Sequence, residues 1–266
     1  MFNAKEQKDK VVQWIRDWFD KNGKGCNAVI GISGGKDSTV AAGLCVEALG
    51  NNKVYGVMMP QGRQHDINDS IEVCNYLKIP NLTINIGDAT QLILGLVDRE
   101  LTGGTKLVHE DGSTSTDHEA YGAISVQAAT NAPPRVRMTV LYAVAQSLNG
   151  RVTNTCNLSE DYVGYSTKYG DAAGDFAPLK SFTSEEVIEI GRELGLPEHL
   201  LIKPPADGLC GKTDEDNLGF TYAVLNKYIR TGKINDEETK IKIDRKHETN
   251  LFKERVIERY VYEPKD

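Results

Sequence analysis

The sequence predicts an α/β protein with a doubly wound parallel sheet, which is a sheet that carries helices on both faces. Two short apolar runs, 27–32 and 53–59, are long enough for buried strands and too short for helices. Helical patterns follow them at 37–49 and 66–78. Strands and helices that alternate at such short spacing are typical of parallel sheets, because each helix returns the chain to the start of the next strand.

Further elements continue this alternation. An amphipathic helix is predicted over 4–22, since its large apolar side chains recur at helical spacing and Asn22-Gly23 ends the pattern. A capping box formed by Thr183 and Glu186 predicts another helix, which Gly195 closes. The remaining predicted elements are strands at 82–86 and 151–155, helices at 88–101 and from Pro133-Pro134 to Leu148, and a helical tail over the last ~50 residues.

Two polar stretches interrupt the regular pattern. Residues 102–120 are rich in Gly, Ser, Thr and Asp, and we expect a mobile surface excursion there. Residues 203–217 combine Pro, Gly and charged residues, which predicts a loop. Neither stretch has the composition of an interdomain linker and the sequence contains no internal repeat, so we expect residues 1–266 to form a single domain.

Composition and charge limit the kinds of partner. The chain has 266 residues, a net charge of −7 and a pI near 5.4, which disfavours a surface for nucleic acid. No apolar run approaches the ~18 residues that a membrane span requires. The N-terminal segment lacks the apolar core of a secretion signal. We therefore expect small-molecule substrates, no membrane and no nucleic acid.

The cysteines and histidines indicate the compartment and the kind of metal. Five cysteines are scattered without a C-x-x-C pair, which argues against a disulfide framework and a structural zinc site and is typical of the reducing cytoplasm. The five histidines are equally dispersed. Any metal is therefore expected to be a hard cation that carboxylates and phosphate hold.

A glycine-rich turn joins the first predicted strand to the next helix. Its residues, Ser33 to Ser38, read S-G-G-K-D-S. Consecutive glycines let the backbone wrap closely around an anion, and the N-terminus of the following helix presents free N–H groups to it. The serine hydroxyls and Lys36 add further donors. The position and composition of the turn together predict a phosphate-binding loop.

Two familiar nucleotide-binding motifs and a plain turn fit these residues less well. The sequence departs from the Walker A loop, because Ile30 stands where that motif requires glycine and Asp37 follows the lysine, and it contains no G-x-G-x-x-G. A plain glycine turn would not account for the serines and charges. An aspartate inside a phosphate loop repels phosphate unless a divalent cation lies between them, so Asp37 is a candidate Mg²⁺ ligand.

The loop resembles the signature of the N-type ATP pyrophosphatases, which cleave ATP to AMP and pyrophosphate while activating a substrate oxygen. A second stretch is similar to the NAD synthetases within that family. It combines Thr155 and Glu160 with the run from Gly164 to Asp171, Asp175 and Pro178-Leu179. Collinear matches over roughly residues 10–255 include Met59-Pro60, Gln64, Asp66, Asn131, Arg135, Arg137-Met138, Pro197 to Leu200, Thr213 to Asp216 and Leu218-Gly219.

The resemblance implies an adenine nucleotide alpha-hydrolase-like fold and a reaction. ATP, Mg²⁺ and ammonia would convert deamido-NAD to NAD through an adenylated carboxylate, as the final step of NAD biosynthesis, in a homodimer. Asp37 and Glu160 would share Mg²⁺, and Asp171 is a candidate acceptor of the ammonium proton. The implied ATP-binding residues are Gly31, Ile32, Ser33, Gly34, Gly35, Lys36, Asp37, Ser38, Thr155, Ser184 and Ala206. The implied deamido-NAD-binding residues are Arg135, Lys168, Asp175, Phe252 and Lys253.

Several positions depart from the family pattern. Ser184 stands where many relatives carry a lysine that contacts ATP, and Lys180 is a possible substitute. Ala206 replaces a threonine that is usual in the proline-rich loop. The C-terminal His-Lys of the family is matched best by Phe252-Lys253, with His247 as the weaker candidate.

Each implied role has a simpler alternative. Glu160 could be a solvated carboxylate, and Lys168 could pair with Asp175. Arg135 and Arg137 could be solvated helix residues, and Asp171 could only cap a turn.

Two other functions compete with the leading hypothesis. A tRNA-modifying or nucleotide-amidating relative would share the phosphate loop, but a thiolating enzyme is expected to show paired cysteines, and the negative charge disfavours tRNA. A nucleotide sensor without catalysis would not need both Asp37 and Glu160. The nitrogen donor is expected to be ammonia rather than glutamine, because neither Cys26 nor Cys210 has a local framework that would activate it as a nucleophile.

Overall fold

A parallel sheet lies at the centre of the computed structural model, which describes residues 2–102, 107–108, 114–115, 122–203, 214–255 and 257–262. The strands in these residues are β1 (Asn27–Gly31), β2 (Val54–Met58), β3 (Asn81–Thr83), β4 (Leu107–Val108), β5 (Thr114–Ser115) and β6 (Gly150–Val152). The main sheet has the order β3-β2-β1-β6, and every neighbouring pair in it is parallel. Strands β4 and β5 form a separate antiparallel pair.

Helices surround this sheet and supply most of the remaining structure. A 3₁₀ turn at Asn51–Lys53 precedes β2. The α-helices of the described residues are α1 (Ala4–Asn22), α2 (Lys36–Leu49), α3 (Ile67–Leu77), α4 (Gly87–Leu101), α5 (Val126–Ser147), α6 (Leu158–Val163), α7 (Ser184–Glu193), α8 (Glu198–Leu201), α9 (Asp214–Leu218), α10 (Tyr222–Thr231) and α11 (Glu237–Glu254).

The sheet buries both faces, as the doubly wound prediction requires. Successive residues of a strand point to opposite faces. Ala28 and Ile30 of β1 belong to a core cluster with apolar residues of α1, α2 and α7. Val29 belongs to a second cluster, with Val152 of β6 and Leu141 of α5. The fold class is therefore confirmed.

The order of the strands places a switch point between β1 and β6. From β1 the chain moves outward through β2 to β3, and it later returns to place β6 on the other side of β1. The connection that leaves β1 runs to β2, and the one that leaves β6 runs away from β1 to Phe176, which forms a parallel bridge with Thr153. In open α/β sheets such a switch point is where ligands bind.

The prediction that a helix begins at Pro133-Pro134 was wrong. Helix α5 begins at Val126, with both prolines inside it, and the Ser125 hydroxyl accepts a hydrogen bond from the backbone N–H of Ala128 as its N-cap. Proline lacks the N–H of an interior helical residue, which usually costs about 3 kcal/mol or more. Burial of Pro133 and the packing of α5 against the sheet offset this cost.

Other boundaries agree more closely with the sequence. The capping box of Thr183 and Glu186 is present at α7. The predicted loop over 203–217 ends earlier than expected, because α9 begins at Asp214. Residues 204–213 and most of 102–120 lie outside the described residues, so the expectations for them stay predictions.

The helices of the described residues contain no segment long and apolar enough to cross a membrane.

A partly buried ion cluster joins the C-terminal helix to the segment after β6. Lys180 lies 3.3 Å from a carboxylate oxygen of Asp161 on α6 and 2.5 Å from one of Glu254 at the end of α11. The side chain of Asp161 is only 5% exposed. Burial, reinforced by the negative charge of Glu254, raises the pKa of Asp161 to about 6. Lys180 limits this rise and holds both carboxylates in place.

Replacing Lys180 should destabilise the protein more at pH 8 than at pH 5. Asp161 has an ordinary pKa of 3.8 and a pKa of about 6 in the folded protein. Between these two pH values it is protonated more in the folded than in the unfolded chain, so its protonation adds stability as the pH falls through 6. Lys180→Met removes the cation that a charged Asp161 needs. Because Lys180 is 44% exposed, solvent replaces part of its effect, and we expect a loss of about 1 kcal/mol at pH 8.

Urea unfolding of both proteins at pH 5 and pH 8 measures this difference. Lys242→Met is the control, because Lys242 forms an exposed pair with Glu238 and should change stability little at either pH. Equal losses at the two pH values in Lys180→Met would contradict the assignment of Asp161.

Candidate functional site

The segments that carry the predicted site residues meet at the carboxyl edge of the sheet. Ser33 to Ser38 follow β1, while Thr155 and Glu160 follow β6, which pairs directly with β1. Parallel pairing puts the carboxyl ends of both strands at the same edge. The structure therefore brings together two segments that are far apart in the sequence.

The predicted phosphate loop is a compact hydrogen-bonded turn. The backbone N–H of Ser33 donates to Oγ of Ser38 over 3.2 Å, and the two serine hydroxyls are 3.0 Å apart. The N–H of Gly35 donates to Oγ of Ser33 over 3.3 Å. No side chain of the described residues caps α2, whose N-cap is Gly35. The first turn of this helix thus presents backbone N–H groups and the positive end of the helix dipole.

Residue 34 must be glycine because of both its backbone conformation and its close neighbours. Its φ of +78° lies in the left-handed region, which other residues rarely adopt. A Cβ atom at this position would lie 2.8 Å from Cβ of Asp69 and 2.8 Å from the backbone N of Ser70. The loop can approach the first turn of α3 this closely only because residue 34 has no side chain.

The buried Lys36 and the partly buried Asp37 form a charge pair at the start of α2. Lys36 is 7% exposed, and its Nζ lies 2.9 Å from Oδ2 of Asp37. The same Nζ lies 5.8 Å from the centre of the Tyr222 ring. The other oxygen of Asp37, Oδ1, accepts a 3.0 Å hydrogen bond from Nδ2 of Asn157. Both carboxylate oxygens of Asp37 are thereby held in place.

Glu160 is held beside Asp37 by the first turn of α6. Oδ1 of Asn157 accepts hydrogen bonds from the backbone N–H groups of Ser159 and Glu160, at 2.9 and 3.2 Å. In return, Oε2 of Glu160 accepts the backbone N–H of Asn157 at 3.3 Å, which completes a capping box. Glu160 is therefore a fixed residue of this edge, and the alternative of a fully solvated carboxylate is not what the structure shows.

The electrostatics of this pair favour a bound cation. Burial of its carboxyl group raises the pKa of Glu160 well above its usual value, and the charge of Asp37 raises it further, while Lys36 opposes the rise. Two carboxylates that repel one another beside a phosphate loop are a suitable donor set for Mg²⁺. This cation commonly uses one or two carboxylates together with phosphate oxygens and water. The described residues contain no cluster of three or more potential metal ligands, so these two carboxylates would fit Mg²⁺ only together with phosphate oxygens and water.

The other residues that are predicted to contact ATP lie in different environments. Thr155 lies between β6 and α6, at the same edge as Glu160. Ser184 is buried, and its hydroxyl accepts a 3.1 Å hydrogen bond from Nδ2 of Asn226, while its backbone N–H donates to Oγ of Ser159. Lys180 belongs to the ion cluster with Asp161 and Glu254. Ala206 lies outside the described residues.

The C-terminal helix α11 brings three predicted substrate-binding residues together. Nζ of Lys168 donates to the backbone carbonyl of Phe252 over 2.8 Å, and its charge lies 5.3 Å from the centre of that ring. Nζ of Lys253 donates to the carbonyls of Gly164 and Ser166, at 2.6 and 2.9 Å. Arg135 joins this group, because its Nε donates to the carbonyl of Lys168 over 3.3 Å.

Gly164 permits this close approach of α11. A Cβ atom at residue 164 would lie 2.1 Å from Cβ of Asn250, and the φ of Gly164 is +64°. Burial lowers the pKa of Lys253, although the attraction of Asp171 and Glu254 opposes this change. The end of α11 therefore holds the segment that follows Glu160 in place.

Asp171 and Asp175 lie on the open side of the site. Oδ1 of Asp171 accepts the backbone N–H of Thr167 over 3.0 Å, so this residue does cap a turn. Although Asp171 as a residue is exposed, the partial removal of its carboxyl group from water raises its pKa, and the hydrogen bond from Thr167 limits the rise. Asp175 accepts hydrogen bonds from the Tyr142 hydroxyl and the backbone N–H of Val152. Lys168 and Asp175 thus have separate partners.

Two residues of this edge received no role from the sequence. Asn157 could have been recognised as an N-cap three positions before Glu160. Arg137 is partly buried, in contrast to the exposed Arg135, and its Nε donates to the carbonyl of Met59 over 3.0 Å. Burial lowers the pKa of Arg137, and the charge of Asp171 opposes this effect. No sequence signal distinguished the partly buried arginine from the exposed one.

An open polar cavity of about 390 Å³ lies beyond the carboxyl ends of β2 and β3. It occupies the same edge of the sheet as the phosphate loop. Residues of both connecting loops and of the first turn of α4 line it, namely Gln61, Gly62, Asn85, Gly87, Asp88 and Gln91.

Known proteins of one family have sequences similar to this chain. The family model described as NAD synthase matches residues 8–263. The NH(3)-dependent NAD(+) synthetase of Pyrococcus furiosus is 36% identical over 222 residues, which are 83% of this chain and 77% of that protein.

Solved structures agree with this match. The NMN synthetase of Francisella tularensis superposes with a TM-score of 0.82 at 31% identity, covering 98% of this chain and 100% of that one. The NAD+ synthetase of Burkholderia pseudomallei superposes with a TM-score of 0.71 at 26% identity, covering 96% of this chain and 91% of that one.

Proposed function

Because the chain belongs to the NAD synthase family, we propose that it uses ATP and ammonia to convert deamido-NAD to NAD. AMP and pyrophosphate are the other products. The observation that carries this proposal is the geometry at the sheet edge, where Asp37 and Glu160 converge beside the phosphate loop. A protein that only binds a nucleotide needs no second carboxylate at this place.

The chemistry explains why ATP is required. A carboxylate is a poor electrophile, and adenylation of the nicotinic acid carboxylate turns one of its oxygens into part of a leaving group. The loop from Ser33 to Ser38, with Gly31 and Ile32 before it, would bind the phosphates of ATP. The backbone N–H groups at the start of α2, which no described side chain caps, would stabilise the charge that develops as pyrophosphate departs, which is a large source of rate enhancement. Thr155 would contact the same nucleotide.

Asp37 and Glu160 are the residues that would hold Mg²⁺. When bound, this ion offsets negative charge on the reacting phosphates. Lys36 and Asn157 keep the Asp37 carboxylate oriented. The predicted contacts from Ser184 and Ala206 remain proposals, and for Ser184 the buried hydrogen bond with Asn226 supports a structural role instead.

The group around Lys168 would bind deamido-NAD. Arg135, Lys168 and Lys253 supply positive charge for an anionic dinucleotide, Phe252 supplies an exposed ring, and Asp175 supplies a carboxylate. The hydrogen bonds from Arg135 to Lys168 and from Lys168 to Phe252 support this role. Asp175 forms its hydrogen bonds with Tyr142 and Val152 instead.

Asp171 would accept a proton from ammonium, because only neutral ammonia attacks the adenylated carboxylate. The raised pKa of Asp171 suits a group that exchanges protons closer to neutral pH. Free ammonia as the nitrogen donor is supported by the name of the Pyrococcus relative. In the described residues, all the cysteines are buried, which leaves none presented as a nucleophile for glutamine.

A second candidate substrate is the deamido form of NMN, which is nicotinic acid mononucleotide. The observation that favours it is the close superposition on the NMN synthetase of Francisella tularensis. Both substrates present the same nicotinic acid carboxylate. They differ in the second nucleotide, so the reacting groups described above would serve either one.

We further propose that residues 1–266 form one catalytic domain that works in the cytoplasm as a homodimer. The family match over 8–263 supports the single domain, and the free cysteines suit a reducing compartment. An apolar face of α4 supports the dimer, because large side chains there are exposed at helical spacing. These are Leu92, Ile93, Leu96, Val97 and Leu101.

If this face of α4 forms the dimer, Leu96→Asp should convert a wild-type dimer to a monomer in sedimentation velocity. Ile241→Asp on α11 is the control, because Ile241 is also exposed but lies outside the α4 face. A monomeric wild-type protein, or a Leu96→Asp variant that stays dimeric, would count against the proposal.

The test of the proposed reaction is a substrate comparison with purified protein, ATP, Mg²⁺ and ammonium. With deamido-NAD we expect AMP and NAD in equal amounts, and with glutamine in place of ammonium we expect almost none. A higher kcat/KM with nicotinic acid mononucleotide would select the second candidate. AMP formation only with xanthosine monophosphate would overturn both.

Asp37→Asn and Glu160→Gln should each lower the rate of AMP formation on the order of 10²-fold or more, because each removes a charge that holds the cation against the phosphates. The double variant should lose less than the product of the single effects, since both residues serve one ion.

Initial rates at several Mg²⁺ concentrations, with circular dichroism as a check of the fold, measure these effects. Asp20→Asn on the exposed side of α1 is the control. Near-normal turnover in Asp37→Asn would remove this residue from the mechanism.

A further inference from the structure

Asn157 is a fully buried side chain that serves three partners at once. Its Oδ1 accepts two backbone N–H groups of α6, and its Nδ2 donates to Oδ1 of Asp37 over 3.0 Å. Its own backbone N–H donates to Oε2 of Glu160. One residue therefore contacts both carboxylates that converge beside the phosphate loop.

The amide does more than a helix cap requires. Serine, threonine, aspartate and asparagine are all good N-caps, because each offers an oxygen to the first turn. Among these four residues, only asparagine combines that oxygen with a side-chain N–H donor, and this donor can reach a neighbouring carboxylate. An aspartate here would instead add a third negative charge beside Asp37 and Glu160.

The hydrogen bonds to Asp37 leave its carboxylate oriented and still able to bind. Nδ2 of Asn157 holds Oδ1, and Nζ of Lys36 holds Oδ2. Each carboxylate oxygen has two lone pairs, so one donor to each oxygen fixes the rotation of the group and leaves further acceptor capacity. Without the amide, the repulsion between Asp37 and Glu160 would favour a rotation that separates them.

We propose that Asn157 is a positioning residue, which orients the Asp37 carboxylate and sets its distance from Glu160 for the binding of a divalent cation with ATP. This inference rests on the proposed function, because it assumes that these two carboxylates hold the cation. It adds a role for a residue that contacts both candidate ligands of the cation through hydrogen bonds.

The decisive variant is Asn157→Ser, which keeps an N-cap oxygen and removes the amide donor. We expect its melting temperature to stay within a few degrees of the wild type. We expect the Mn²⁺ concentration that half-saturates binding, in the presence of a non-hydrolysable ATP analogue, to rise on the order of tenfold, as for other residues that orient a metal ligand. Electron paramagnetic resonance of free Mn²⁺ measures this binding without turnover.

Two further variants separate positioning from stability. Asn3→Ser is the matched control, because Asn3 is an exposed N-cap of α1 and undergoes the same substitution away from the site. It should leave Mn²⁺ binding unchanged. Asn157→Ala removes both the cap and the donor, and should lower the melting temperature as well as weaken Mn²⁺ binding.

The outcomes distinguish a failure of the positioning role of Asn157 from a failure of the proposed reaction. Wild-type Mn²⁺ binding in folded Asn157→Ser, or equal weakening in Asn3→Ser, would overturn the positioning role. If the wild type makes no AMP with any substrate but Asn157→Ser still weakens Mn²⁺ binding, the proposed reaction fails and the positioning role stands. If the wild type binds no Mn²⁺ with the ATP analogue, both fail.

Discussion

The direct pairing of β1 with β6 is the constraint on which the site depends. It brings the loop after β1 and the helix after β6 to one edge, so that Asn157 can donate to Asp37 across a sequence separation of 120 residues. Buried apolar residues on both faces of β1 keep the strand central. If the two strands were not neighbours, Asn157 could not reach Asp37, and Lys36 would not lie close enough to Glu160 to offset its charge.

The site concentrates like charges, and the surrounding structure compensates for this. Asp37 and Glu160 repel one another, and Lys36 is buried beside them as the nearest cation. As a purely structural ion cluster this arrangement is unfavourable, since the free-energy cost of burying the charges exceeds the attraction that one lysine supplies. It is understandable as a site that becomes favourable when a cation and phosphate complete it.

The C-terminal helix is part of the site rather than a separate tail. Lys253 donates to two backbone carbonyls of the segment that follows Glu160, and Lys168 donates to the carbonyl of Phe252. The ion cluster of Lys180, Asp161 and Glu254 fixes the same helix to α6. Helix α6, which carries Glu160, and Lys168, one of the proposed dinucleotide-binding residues, therefore contact the same helix, α11.

The sequence by itself determined the fold class and predicted a phosphate loop, because both inferences depend on local rules. Short apolar runs that alternate with helical patterns predict a parallel sheet, and a glycine-rich turn before a helix predicts an anion site at any position in the chain. The residues of the second segment came from its resemblance to a family rather than from physical reasoning. The start of α5 was misjudged because tertiary packing outweighed the local effect of its prolines.

Only the tertiary structure decided which side chains are available for chemistry. In the sequence, Ser184 and Lys180 are candidates for an ATP contact, yet Ser184 is bound to Asn226 in the interior and Lys180 to two carboxylates. Asn157 looks like an ordinary helix cap, and its donation to Asp37 exists only because β1 and β6 are neighbours. Hydrogen bonds between distant segments depend on the order of the strands, and no local pattern encodes that order.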